Sequence, residues 1–228
     1  MTYYKPLASA YNGDSELYET CVWIGCEAAK GKTNDLDVFN AIWNKFQTMS
    51  VCSKDGRVIG YYSTNRTTDN TINHTLITLD YLLRYNDGRC GAWADFFENV
   101  LACQGISSSQ LEFSIKDSEV IYFLNTKNIF PNRIKTILQQ NLNSFPGNGS
   151  PNLFGFSDHV INIFNNFLYD ATCGVGDYYN STSGFQQYLQ QNVSIKCYEV
   201  DDENNENLIY TISGNEIDTT LFYNNGGL

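Results

Sequence analysis

Asn165 and Asn166 separate two strand-like runs, HVINIF and FLYDAT, and no other pair of residues constrains this chain as tightly. Asparagine tolerates positive φ, which a two-residue type I′ hairpin turn needs at both central positions. With that turn the register follows by counting. Phe164 pairs with Phe167, Ile163 with Leu168, Asn162 with Tyr169 and Ile161 with Asp170. His159 lies two residues before Ile161, so strand alternation sets it on the same face as Asp170. The two are diagonal neighbours, about 7–8 Å apart between backbones and within reach of side chains that lean together. That face also carries Ile161, Ile163 and Leu168, so it is expected to pack on a helix. At its open end a carboxylate can hold an imidazole in one tautomer.

Helical signals dominate the chain before this hairpin. Leu17 to Cys26 reads as a strand or short buried piece. Residues 33–49 predict a helix, with a cap among Thr33 to Asp35 and a stripe of Val38, Ile42 and Phe46 widened by Phe39, Trp43 and Met49. Lys54-Asp55-Gly56 marks a turn before the strand-like RVIGYY, and the polar run 66–75 reads as a loop. A helix is expected from about Thr75 to Tyr85, broken by Asn86-Asp87-Gly88. Another follows at once from Cys90 to Cys103, with Ala94, Phe97 and Leu101 inward and Gly105 in a left-handed C-cap.

Beyond it, QLEFSIKDSEVIYFL alternates like strand, and 143–156 is rich in Gly, Pro and Asn and reads as exposed loop. A short helix is expected over Ser183 to Gln191. VSIKCYEV and NLIYTIS then form a hairpin around the acidic tip that begins at Asp201. Helices first and strands afterwards indicate an α+β fold with an antiparallel sheet. The 228 residues are read as one domain, with a core of about 35–190 and a C-terminal hairpin of about 193–213.

Composition excludes several classes. Hydrophobic residues at 42% and charged residues at 17% suit a globular core rather than a disordered chain. A net charge of −11 repels phosphate backbones, so nucleic acid is not expected as a partner. No run approaches the ~20 apolar residues that span a bilayer. The opening residues lack the apolar run of a signal peptide. A cytosolic protein and a secreted one whose signal has been removed are therefore both open. Seven cysteines form no Cys-x-x-Cys pair and there are only two histidines, so a zinc site of the usual spacing is not expected. If Cys90 is a free nucleophile, six cysteines remain for disulfides or, as free Cys commonly is, for burial as thiols.

Cys90 carries the chemical expectation. It follows Asp87-Gly88 and occupies the first turn of its helix, where N–H groups without intrahelical partners and the positive dipole end favour a thiolate. Those N–H groups can also stabilise an oxyanion. With His159 as base and Asp170 as its orienter, the residues of a thiol acyl-transfer site are all present.

The stretch DGRCGAWADFFENVLACQGI resembles the core of the transglutaminase-like superfamily, in which a Gly-x-Cys opens a helix that ends in Gly-Ile before a strand. SDHVINIFNNFLYDATCG fits the strand His and next-strand Asp of that pattern. The resemblance covers about 35–190 and implies a papain-like α+β fold. It implies Cys90 as nucleophile, His159 as general base and acid, and Asp170 as orienter, with a protein or peptide substrate and neither cofactor nor metal. Residue 92 is Ala and the tryptophan comes one place later, at Trp93, than in the Gly-x-Cys-Trp of animal transglutaminases. The extra domains and calcium-ligand runs of those enzymes have no counterpart. Hydrolysis of amides is therefore as consistent with the residues as crosslinking.

Two alternatives stand beside this. A non-catalytic binding or structural module could keep the same fold. An arylamine acetyltransferase-like enzyme would use the same triad, but its flanking acidic and asparagine pattern is missing. Trp43 could donate its indole N–H to an oxyanion, although its place in an apolar stripe points to core packing. His74 reads as a loop residue, since no cluster of ligands surrounds it. The acidic run 201–206 lacks the spaced ligands and turn glycine of an EF-hand loop. Asn-x-Ser/Thr matches at Asn65, Asn73, Asn148, Asn180 and Asn192 are expected in a chain this rich in Asn and Thr, and imply no glycosylation.

Overall fold

The computed structural model describes residues 17–48, 51–61, 78–116, 134–141, 153–156, 158–200 and 206–224. The predicted loop 66–75 with His74, residues 117–124 of the predicted strands, most of the predicted loop 143–156 and the acidic tip 201–205 lie outside them, as do Asn65 and Asn148. The fold is α+β, and the chain divides into two compact units: one of residues 1–110, 144–150 and 160–177, the other of 111–143, 151–159 and 178–228.

Among the described residues, the first unit holds four helices. The segment expected as a strand at Leu17 to Cys26 is instead part of α1, Glu19–Ala29. Its buried residues Cys21, Ile24, Gly25 and Ala28 follow a helical spacing and face the core. A Cβ at Gly25 would stand 3.1 Å from the Val100 carbonyl, so glycine permits the close helix approach there. α2, Asp35–Gln47, starts as expected: Asn34 is its cap, accepting from the Asp37 N–H at 2.9 Å. Val38, Phe39, Ile42, Trp43 and Phe46 are all buried. The strand expected after the Lys54-Asp55-Gly56 turn is reduced to β1, Gly60–Tyr61. α3, Leu79–Tyr85, is capped by Thr78 and closed by Asn86 at φ 57°. β2, Asp87–Gly88, pairs with β1 in parallel, and α4, Cys90–Ala102, follows. Gly105 takes φ 70° after it, the left-handed stop expected of that glycine.

Strands dominate the remainder. A five-stranded sheet contains β3, Ser109–Ile115; β6, Asp158–Phe164; β7, Phe167–Asp170; β8, Val175–Tyr179; and β11, Phe222–Asn224, in the order β11-β3-β6-β7-β8. A second, antiparallel sheet has the order β10-β9-β4-β5, from β4, Ile134–Asn141; β5, Leu153–Phe156; β9, Val193–Val200; and β10, Glu206–Ser213. The C-terminal hairpin is thus present, with a register shift between Leu208 and Tyr210. β5 corrects the reading of 143–156 as loop throughout: paired backbone takes up Leu153–Phe156 despite the Gly and Pro around it. α5, Thr182–Asn192, matches the predicted short helix, with the Ser181 hydroxyl accepting from the Gly184 N–H. Asn192 is buried there and donates to the Tyr188 carbonyl at 2.9 Å.

The β6–β7 hairpin has the register counted from the sequence. Asn162 pairs with Tyr169, Ile163 with Leu168 and Phe164 with Phe167. Asn165 and Asn166 take φ 47° and 66°, as a type I′ turn requires. On the His159 face, as expected, a helix is near: Phe113 meets the His159 ring and also Phe185 and Tyr188 of α5, while the opposite face packs on α2 and α4. Phe164 stacks on Phe39 at 3.9 Å, Tyr169 meets Trp43 at 5.0 Å, and the Asn162 amide donates to the Ala94 carbonyl at 3.1 Å. Asn162, Phe164 and Tyr169 thus face α2 and α4, while Ile161 and Leu168 are buried on the opposite side. The aromatic bulk of α2 and α4 selects Phe164 and Tyr169 as its partners.

Replacing Asn165 with valine is expected to destabilise the fold by about 1–2 kcal/mol, because a β-branched residue would be forced into left-handed backbone. Urea denaturation reads this. An unchanged midpoint would mean that the turn does not hold the hairpin.

Candidate active site

Cys90 is the first residue of α4, after Arg89 in extended conformation. Backbone contacts fix this helix start. The Gly60 N–H donates to the Asn86 carbonyl at 2.8 Å, and the Trp93 indole N–H donates to the Gly60 carbonyl at 3.3 Å. A Cβ at Gly88 would stand 2.8 Å from the Leu82 side chain, so the chain reaches Cys90 through a gap that only glycine fits. Cys90 is 5% exposed, a closed position for a thiol.

His159 and Asp170 sit at neighbouring ends of β6 and β7, and each is 1% exposed. The hairpin from Asp158 through Cys173 is one continuous stretch of chain. The Asp170 carboxylate and the Cys173 thiol form a buried group where the chain turns after β7. His159 also meets the Phe113 ring edge-on at 5.6 Å, which restricts its tilt. The Cys173 N–H donates to Asp170 Oδ1 at 3.1 Å, and the Gly174 N–H donates to the Asp170 carbonyl at 2.8 Å. Gly174 at φ 66° lets the chain curl round the carboxylate.

Cys173 is the member of this group that the sequence reading did not mark. It is 3% exposed. Burial pushes its thiol well up, and the Asp170 carboxylate and then Cys90 push it further in the same direction. Cys90 is therefore close enough to Cys173 for its charge to be felt there. So the end of β7 brings Asp170 and Cys173 together, with Cys90 near enough to Cys173 for its charge to be felt. The signal that could have found Cys173 is its place three residues after Asp170, where a turn ending the strand returns the side chain to the carboxylate.

Trp43 is in the core, 5.5 Å from the Phe97 ring and 5.0 Å from the Tyr169 ring. Its indole N–H is buried and meets no acceptor among the described residues. Cys21, Cys26, Cys52, Cys90, Cys103 and Cys173 are all free thiols, so no disulfide joins these six. No helix among the described residues is long and apolar enough to cross a membrane.

No protein-family model matches the chain, and no curated protein or solved structure matches it either.

Proposed function

We propose that the protein is a cysteine-dependent acyl-transfer enzyme with a papain-like, transglutaminase-like core, acting on peptide or side-chain amides. One observation carries the reading: Cys90, at the first position of a helix, is near enough for its charge to be felt at Cys173, whose N–H donates to the buried Asp170 carboxylate. Cys90 is the nucleophile. Its sulfur attacks the amide carbonyl, and N–H groups of the first turn of α4 stabilise the oxyanion. His159 passes the thiol proton to the leaving amine, the C–N bond breaks, and a thioester to Cys90 remains. Water (a peptidase or amidase) or an amine (a transglutaminase) then releases the acyl group and regenerates the thiol. Asp170, held by the Cys173 N–H, orients His159 and stabilises its cationic form. Cys173 does not serve as nucleophile, because burial and the carboxylate keep it a thiol.

A second reading, a binding or structural module that keeps the fold without turnover, is favoured by the burial of Cys90 at 5% exposure. Alkylation separates the two. Under the enzyme reading iodoacetamide at mildly acidic pH labels the native protein at Cys90, and Cys90→Ala removes that label. Equal labelling of the two proteins sinks the assignment, and a native Cys90 that reacts only after denaturation favours the module.

A further inference from the structure

α1 and α4 come into close contact at Gly25. A Cβ there would stand 3.1 Å from the Val100 carbonyl and 3.0 Å from the Gln104 amide nitrogen. Cys21 lies one turn before Gly25 on the same stripe of α1, and Cys103 lies one turn beyond Val100, at the end of α4. Cys21 is wholly buried in the core, and Cys103 packs against that core while keeping part of its surface in solvent.

We propose that Cys21 and Cys103 are a redox-active pair, which in an oxidising medium forms a disulfide tying α1 to α4. A disulfide needs Cα atoms about 4.4–6.8 Å apart, and only helices in close contact bring two of their residues that near. Gly25 supplies the contact, since no side chain separates the helices there. Cys103 is the cap residue of α4, so a small shift toward Cys21 disturbs only the last turn. Each thiol also senses the other's surroundings: burial pushes the Cys21 thiol well up, and Cys103 is the next cause in the same direction. Cys26 stands nearby but is engaged, because the Gln104 amide donates to its sulfur at 3.8 Å.

The oxidant is a small-molecule disulfide. The Cys103 sulfur, the one solvent reaches, attacks a sulfur of that molecule; its S–S bond breaks, and the first small thiol leaves with the Cys103 proton. The Cys21 sulfur then attacks the Cys103 sulfur of the mixed disulfide. The second small thiol leaves with the Cys21 proton, and the Cys21–Cys103 bond remains. Two protein thiols are oxidised, and one small disulfide is reduced to two thiols. Cys21 has to shed its proton inside the core, so the second step is the slow one and quickens as pH rises.

The pair does not depend on the proposed reaction at Cys90. The bridge closes a long loop and anchors the far end of the helix that begins with Cys90, so oxidation stabilises the fold.

Glutathione disulfide, added to the native full chain after reduction, tests the pair. Once the reaction is quenched in acid and the protein denatured, two titratable thiols should be lost. A Cys21–Cys103 peptide should appear in the unreduced digest and vanish with dithiothreitol, and the urea midpoint should lie above that of the reduced protein. Cys21→Ser should stop at a mixed disulfide on Cys103, and Cys103→Ser should give no crosslinked peptide. Should Cys21→Ser fail to fold, Cys103→Ser, at a partly exposed position, decides alone. Cys90→Ala should still form the bridge, so failure of the enzyme reading and failure of the pair are told apart. Absence of the crosslinked peptide in the native protein, a Cys26–Cys103 peptide in its place, or an undiminished loss of thiols in Cys103→Ser would each overturn the assignment.

Discussion

Cys90→Ala is expected to lower kcat/KM for amide hydrolysis or amine exchange by about 10⁴-fold or more, to the level of the uncatalysed reaction assisted by binding alone. Under the proposed reading the sulfur forms the thioester, and Cys173, the thiol near it, is pushed toward its protonated form by burial and Asp170. His159→Ala should cost a similar factor, and the double variant should be little worse than either single one, because nucleophile and base act as a unit. A peptide-amide library, assayed with and without an added primary amine, measures this and identifies the acceptor. Full activity in Cys90→Ala would end the assignment. A wild type that turns over neither hydrolysis nor exchange would leave the module reading in its place.

Phe39→Ala should produce the largest loss of stability, about 3–5 kcal/mol by chemical denaturation. That is a large share of the 5–15 kcal/mol by which a folded domain ordinarily exceeds its unfolded state. Phe39 is 1% exposed, stacks on Phe164 at 3.9 Å, and meets Tyr169 at 4.9 Å and Phe97 at 5.9 Å edge-on. Truncation leaves a cavity beneath the hairpin that bears Asp170, so thermal inactivation should begin at lower temperature as well. Leu36→Ala, one turn away at an exposed position, is the control and should change stability by less than about 0.5 kcal/mol. Equal effects of the two would show that α2 does not pack on the hairpin through Phe39.

Where local chemistry dominates, the sequence was sufficient. Asn34 capping α2, Asn86 and Gly105 at left-handed φ, and the Asn165-Asn166 turn all depend on neighbours within a few residues. Two places resisted. The run Glu19 to Ala29 contains Val22, Trp23 and Ile24, which suit a strand, yet its buried positions 21, 24, 25 and 28 form a helical face. Close approach at Gly25 and core contacts override the local preference. Leu153–Phe156 lies among Gly, Pro and Asn, and its strand conformation comes from pairing with Leu138–Asn141 rather than from its own residues.

The hairpin divides what one chain of letters can specify from what it cannot. Two asparagines at positive φ set its register, and alternation then sets His159 and Asp170 on one face, because a strand repeats every two residues whatever lies around it. Which face meets α2 and α4 was not a local matter. Phe164 and Tyr169 turn to α2 because large aromatic rings bury more surface than Ile161 and Leu168 could there. Cys173 joined the site for the same kind of reason. Its approach to Asp170 depends on how the chain curls after β7, on Gly174 and on the Asp170 hydrogen bonds, and only the folded chain brings these together.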